Sequence, residues 1–344
     1  MTATSNKRFL LVERPEGRAV RETDFRLEAA PLPPLAEGQV LLRTLYLSLD
    51  PYMRGRMSAA RSYAAPVELG AVMTGEVVAE IVESRAAGPR PGDIVLAHAG
   101  WQEFAVLPAK AVERVDRAQL GNLPLSYLLG VLGMPGGTAY FALDTIGKPK
   151  PGETVLISAA AGAVGQVAGQ IGKLKGCKVI ACAGAADKLA YVTAELGFDA
   201  GVDYKGKNAD ALSAEFATHA PNGIDIFFDN VGGVTHDAAM MNLALYARII
   251  ICGVISAYDR LGQPDTGIRW NRQLLVKRAV MQGFLVSDHR ARWAEFRATM
   301  AAWLQSGQIR YREDIVDGIE AAPRAFIGLL SGANRGKMLV RVAR

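Results

Sequence analysis

Ala160, Gly162 and Gly165 stand at the spacing of a dinucleotide fingerprint, with alanine in its first place. Small residues there let a backbone approach a pyrophosphate, and a helix starting in the same stretch offers it unpaired N–H groups. An NAD site ends its second strand, about twenty positions on, with an acid that binds the adenosine ribose 2′-OH. This chain reads Ala183-Gly184-Ala185-Ala186-Asp187-Lys188 instead. The strand-end place is small and neutral, and Lys188 stands at the start of the next helix to meet a phosphate. Asp187 is read as the N-cap of that helix. The pattern predicts NADP(H).

These residues need particular elements to hold them. Val155-Leu156-Ile157 is a short apolar run of the kind buried on both faces of a parallel sheet. Val164, Val167, Ala168, Ile171 and Leu174 follow at helical spacing, and Val179-Ile180-Ala181 reads as the second strand. A helix from Asp187 to Leu196 would end at Gly197. A strand near Ala200-Gly201-Val202 ends at Asp203-Tyr204, and a helix near 209–219 leads to Ile224-Asp225-Ile226-Phe227-Phe228. A helix over about 234–244, a fifth strand at Arg248–Cys252 and a sixth at Val280–Val286 complete a six-stranded parallel sheet with crossover helices.

Before this, residues 7–130 read as mostly β. Val40–Ser48, Val77–Glu83, Ile94-Val95-Leu96 and Trp101–Val106 are short strand-like runs with Gly/Pro punctuation, which suggests a compact barrel. Leu125 to Leu132 is helix-compatible, Gly133-Met134-Pro135-Gly136-Gly137 breaks it, and Thr138 to Leu143 resumes a helix. The tail carries helices near 290–306 and 320–331, a return segment at Ile315-Val316 and a last strand at Met338–Val342. The expected division is a β domain over 1–130, a nucleotide domain over 131–300, and a return to the first domain over 301–344.

A chain of 344 residues gives a prior of about two domains. Half of it is hydrophobic and 21% charged, enough for sizeable cores. The net charge of +5 is mild, and no dense Lys/Arg run argues for nucleic acid. Cys177, Cys182 and Cys252 lie in or beside predicted strands, as buried free thiols do, and suggest a reducing compartment. Met1 to Arg8 is polar, and no 18-residue apolar run occurs. The expectation is a soluble, cytoplasmic protein with no membrane partner.

An N-terminal β domain, the Pro91-Gly92-Asp93 turn before a strand, and a Rossmann insert resemble the medium-chain dehydrogenase/reductase superfamily. Asp50-Pro51-Tyr52-Met53-Arg54-Gly55-Arg56-Met57, Gly133-Met134-Pro135-Gly136, Ala159–Gly165, Asp229-Asn230-Val231-Gly232-Gly233 and Ile251–Ser256 look like its prostaglandin reductase (leukotriene B4 12-hydroxydehydrogenase) branch. Tyr63, with Pro66 and Gly70 following, and Tyr311-Arg312-Glu313 are similar to its bacterial members, the NADPH-dependent curcumin reductases. The likeness runs from about residue 8 to 343.

The resemblance implies an α/β protein with a six-stranded Rossmann sheet inserted in a GroES-like β-barrel domain. It implies NADPH held at the pyrophosphate by Gly162, Ala163, Val164, Gly165 and Gln166. Lys188 and Tyr204 flank the 2′-phosphate, and Gly184 belongs to the same set. Asn230, then Cys252, Gly253, Val254, Ile255 and Ser256, and Phe284, Leu285 and Val286 follow the later strands toward the nicotinamide. Asn334 closes over the cofactor, and pairing of edge strands near 280–286 would make a homodimer. Gly137 departs from relatives, which usually carry a bulkier apolar residue there, so packing at that wall is the open point.

Zinc-dependent members of the superfamily need Cys, His and carboxylate ligands from the β domain. This chain has no cysteine before Cys177; Tyr52-Met53 and Met73-Thr74-Gly75-Glu76 stand where ligands would fall. His98, His219, His236 and His289 are scattered and unaccompanied, so no metal site can be assembled. Reduction of a C=C conjugated to a carbonyl needs no Lewis acid: hydride reaches the β-carbon and charge develops on the carbonyl oxygen. A phenol O–H or the nicotinamide ribose hydroxyl can stabilise that enolate, and a proton then reaches the α-carbon. Tyr63, Tyr52 and Tyr258 are the candidates, each with a packed aromatic as its alternative role. The readings are an NADPH-dependent alkenal/one reductase acting on long, apolar or aromatic enones, a quinone reductase, and a non-catalytic NADPH-binding protein.

Overall fold

The computed structural model describes residues 5–264 and 266–343 of the chain. The first four residues of the polar N-terminal stretch lie outside them. Two compact units form. Unit 1 takes Met1–Gly130, Tyr258–Gln263 and Glu313–Arg344; unit 2 takes Val131–Ala257 and Pro264–Arg312.

Unit 1 opens with an antiparallel ribbon of β1 (Asn6–Leu11) and β2 (Phe25–Ala30), in which Leu11 faces Phe25. β3 (Gln39–Ser48) leads into a short helix, α1 (Tyr52–Arg56), and β4 (Val77–Ser84), β5 (Ile94–Ala97), β6 (Phe104–Pro108) and β7 (Val112–Arg114) follow. Trp101 is fully buried, stacked on Phe25 at 5.0 Å and met edge-on by Phe326 at 5.5 Å. A helical turn, α2 (Arg117–Leu120), capped by Asp116, closes this part. Leu125–Leu129 is only a 3-10 turn, shorter than the helix its composition allows.

In unit 2, α3 (Met134–Ala142) starts inside the glycine-rich stretch read as a break. Proline is tolerated in a first helical turn, where its missing N–H would be unpaired anyway. The glycines answer to contact: a Cβ on Gly136 would lie 1.8 Å from the Val131 carbonyl oxygen. One on Gly137 would lie 2.9 Å from the Trp293 ring.

β8 (Thr154–Ser158), α4 (Gly165–Leu174) and β9 (Lys178–Ala183) fall where the apolar runs placed them. α5 (Ala186–Ala190) is brief and passes into a π turn at Tyr191–Glu195. Its N-cap is Ala185, so Asp187 is a first-turn residue and not the cap expected of it. Then come β10 (Ala200–Asp203), α6 (Ala209–His219), β11 (Ile224–Asp229), α7 (Gly233–Met241) and β12 (Leu243–Ile251). β12 takes over residues expected in the preceding helix, because Leu243 already pairs with Ile224. α8 (Asn271–Lys277), β13 (Val280–Gly283) and α9 (Trp293–Gln305) finish the unit. The strand order is β10-β9-β8-β11-β12-β13, all parallel. The order reverses at β8 and β11, the switch point at which such sheets bind nucleotides.

Unit 2 runs to Arg312, past the division expected at residue 300, because Phe296 of α9 packs on Tyr140 and Phe141 of α3. The tail returns to unit 1 as β14 (Glu313–Asp317), α10 (Ala322–Leu330) and β15 (Lys337–Arg341). They extend its sheet to the order β14-β15-β3-β4-β5-β7, with β6 on β3. No helix among the described residues is long and apolar enough to cross a membrane.

Candidate active site and cofactor edge

The residues after β8, β9, β11, β12 and β13 share the carboxyl edge of one parallel sheet, because the strands are in register: Ser158 faces Cys182, and Asp229 faces Ile251. That edge gathers Gly162 to Gln166, Gly184, Asn230, Cys252 to Ser256 and Phe284 to Val286. Lys188 lies on α5, the helix that follows β9, and Tyr204 directly follows β10. β13 stops at Gly283, so Phe284, Leu285 and Val286 lie past it as a loop.

The turn after β8 fits a pyrophosphate. Ala159 has φ of +50°, and a Cβ on Gly165 would come within 2.4 Å of the Ala159 oxygen. The Ala163, Val164 and Gly165 N–H groups at the start of α4 meet no acceptor among the described residues. Such groups, with the helix dipole behind them, favour an anion. Gln166 differs from its neighbours. It is fully buried; its Oε1 accepts from Tyr191 Oη at 2.9 Å and Arg312 N at 2.9 Å, and its Nε2 donates to Arg312 O at 3.1 Å. Gln170, one turn on, pairs with both backbone groups of Arg310 at 2.8 Å. The side chain of Gln166 therefore holds the helix in place and is occupied within the chain.

The turn after β11 depends on Asp229, which the sequence showed only as the start of the Asp229–Gly233 stretch, with no role of its own. Asp229 is fully buried, and its Oδ1 accepts from the Ser158 hydroxyl and from Val231 N and Gly232 N, each at 2.9 Å. His236 Nδ1 lies 2.9 Å from Asp229 Oδ2. His236 was expected to be unaccompanied; partners seven residues apart across a turn leave no pattern in sequence. Asn230 Nδ2 donates to Ser158 O at 2.8 Å, tying the ends of β8 and β11. Ser256 Oγ donates to Val231 O at 2.6 Å, and a Cβ on Gly253 would lie 2.9 Å from Asn230 O.

Cys177 and Cys182 are buried, whereas Cys252 is half-buried, and all three are free thiols. Burial and then the Asp229 charge push the Cys252 thiol up to about 12, and burial does the same to Cys182. Neither thiol is ionised at neutral pH. His289 is sandwiched between Phe141 and Phe284, at 5.1 and 5.2 Å, which fixes Phe284 at its strand end.

Tyr52, Tyr63 and Tyr258 belong to unit 1, as does Asn334. Tyr52 opens α1 and is half-buried; burial first, then the charges of Asp50 and Glu76, raise its pKa well above that of a free phenol. It is protonated at neutral pH. The preceding Asp50 is held by Lys337 Nζ at 2.7 Å and by the Ser48 hydroxyl. Tyr63 is 66% exposed, in keeping with the loop expected for it. Tyr258 is half-buried on the 3-10 turn Ile255–Arg260, and its neighbour Asp259 lies 3.5 Å from Nε of the buried Arg54. Asn334 is buried with Nδ2 donating to Gly336 O at 2.7 Å. Among the described residues no group of three or more His, Cys, Asp or Glu could hold a metal ion.

Two families match the chain: one described as "N-terminal domain of oxidoreductase" over residues 7–115, and one described as "Zinc-binding dehydrogenase" over 163–306. An NADPH-dependent curcumin reductase from Escherichia coli is 46% identical, covering 98% of this chain and 97% of its own. A 2-alkenal reductase (NADP(+)-dependent) from Nicotiana tabacum is 39% identical, covering 99% and 98%. The crystal structure of CurA in complex with NADPH from Vibrio vulnificus superposes with a TM-score of 0.91 at 46% identity, covering 98% of this chain and 99% of that one.

Proposed function

We propose, on the premise that this chain belongs to the medium-chain dehydrogenase/reductase superfamily in its prostaglandin reductase and curcumin reductase branch, that it reduces the C=C bond of α,β-unsaturated ketones and aldehydes. NADP-dependent oxidoreduction is the coarser activity its relatives share. The observation that carries the finer reading is the donor set. Tyr52 stands in the segment where zinc-dependent members place a ligand, Tyr63 and Tyr258 belong to the same unit, and no group of three or more His, Cys, Asp or Glu among the described residues could hold a metal in their stead.

When bound, NADPH supplies a hydride from its nicotinamide ring. The chain's own groups do the rest. The free N–H groups of Ala163, Val164 and Gly165 take the pyrophosphate, and Lys188 and Tyr204 take the 2′-phosphate. Tyr63 donates a hydrogen bond to the carbonyl oxygen as it gains charge, or the proton that the α-carbon finally receives. Tyr52, protonated at neutral pH, and Tyr258 are the alternative donors. A zinc ion does not fit: no cysteine precedes Cys177, and no ligand group assembles elsewhere among the described residues. No step passes through a metal. We further propose a homodimer formed along β13, and a cytoplasmic setting, which three free thiols suit.

A panel of long-chain alkenals, aromatic enones and quinones, followed by loss of NADPH absorbance, tests this. Enones should be turned over faster than quinones, and prior dialysis against a strong chelator should leave the rate unchanged. Preference for quinones would favour the quinone reductase reading. Cofactor binding with no turnover of any acceptor would favour a regulatory protein.

A further inference from the structure

Gly184 stands where an NAD-specific chain would place its acid, and the structure shows what fills the space. A Cβ on Gly184 would lie 2.8 Å from Tyr204 Cζ, 2.9 Å from Tyr204 Oη and 3.0 Å from Lys205 Cε. The phenol of Tyr204 and the arm of Lys205 therefore cross over the end of β9, within the volume an aspartate would need. Their placement is fixed by the sheet. Asp203 pairs with Ala183, and the next two residues of β10's exit are carried over Gly184. Lys205 N donates to Asp203 Oδ1 at 3.0 Å and Lys207 N to Tyr204 O at 3.3 Å, which shapes the turn.

The turn's two lysines have different surroundings. Lys207 Nζ is paired with Glu215 at 2.5 Å. The Lys205 ammonium has no ion-pair partner among the described residues, although its arm is laid on the strand end. Of the nearby acids, Asp203 accepts the Lys205 N–H on one oxygen, and Asp187 lies exposed on the first turn of α5. A ribose 2′-phosphate is a monoester carrying about −1.5 to −2 at pH 7, more than one lysine neutralises.

We infer that Lys205 is a second cation of the 2′-phosphate site, acting with Lys188, and that it sets the preference for NADPH over NADH. This rests on the cofactor reading above. Gly184 then has a positive role besides lacking an acid: it leaves room for the arm of Lys205.

The test measures binding of 2′,5′-ADP, NADPH and NADH to wild type, Lys205→Gln, Lys207→Gln and Lys188→Ala by calorimetry at two salt concentrations. A charge-assisted contact to phosphate predicts that Lys205→Gln weakens 2′,5′-ADP and NADPH by about tenfold or more, with NADH within about twofold. The variant should also show a shallower salt dependence for 2′,5′-ADP. Lys207→Gln removes the same charge two residues on and should leave all three ligands unchanged. The inference is overturned if Lys205→Gln binds 2′,5′-ADP like wild type, or if it loses NADPH and NADH equally. Wild type binding NADPH no better than NADH would defeat the cofactor reading itself, a separate result.

Discussion

Tyr63→Phe deletes one O–H and keeps the ring, so it separates chemistry from packing. Removing a donor to a developing oxyanion costs about 100- to 1000-fold in rate. If Tyr63 is that donor, the variant should bind NADPH and melt as wild type does while losing most enone turnover. Its 66% exposure makes a loss of stability unexpected, so a fall in Tm would point to a packing role instead. A rate within about threefold of wild type, near 0.65 kcal/mol, would pass the role to Tyr52 or Tyr258. What sequence made legible here was residue type and place: tyrosines in loops, Lys188 after a strand, glycines at a turn. What it hid were partnerships made in space. Asp229 holds Ser158 across 71 positions, Lys205 lies on Gly184, and Gln166 is turned onto Arg312. None of these has a periodicity to betray it.

Elements were legible where burial on both faces made the signal. β8, β9 and β11 are apolar runs with their central residues fully buried. Glycine misled at α3, since in sequence it signals a break, whereas here it answers to close contact. Trp293 fills the room that a larger residue at position 137 would occupy, which settles the packing question raised by that departure. Gly137→Leu should therefore overpack the contact and cost about 1–3 kcal/mol in denaturant unfolding. Combined with Trp293→Leu, the two changes should be less damaging together than their sum, because they share one volume. Strict additivity would mean that Trp293 is not what position 137 meets. The short β13 was over-read because Phe284-Leu285-Val286 continues its apolar character past the last paired residue, Gly283.

At the scale of the molecule, β13 is the edge of the unit 2 sheet and is exposed throughout. Val280 is 55% and Met281 44% exposed, and Leu275, Tyr246 and Leu245 also face solvent. An unprotected apolar edge invites strand pairing, and natural proteins cover or charge such edges. A second copy would cover it, and a sedimenting species of twice 36.7 kDa is expected. Met281→Lys should shift it toward monomer, whereas a wild type that sediments as one chain at micromolar concentration would refute the dimer.

Trypsin cuts after arginine, and Arg310 and Arg312 lie where the chain leaves unit 2. Passages between compact units are ordinarily nicked first. Here the backbone N–H and C=O of both residues are taken by the amides of Gln170 and Gln166, as a neighbouring strand would take them. A protease needs extended, unpaired chain, so it must wait until these contacts with α4 open. Cleavage at this passage should then report on α4, the helix proposed to receive the pyrophosphate. Digestion should slow when NADPH is added, and Gln166→Ala should be cut at once with or without it.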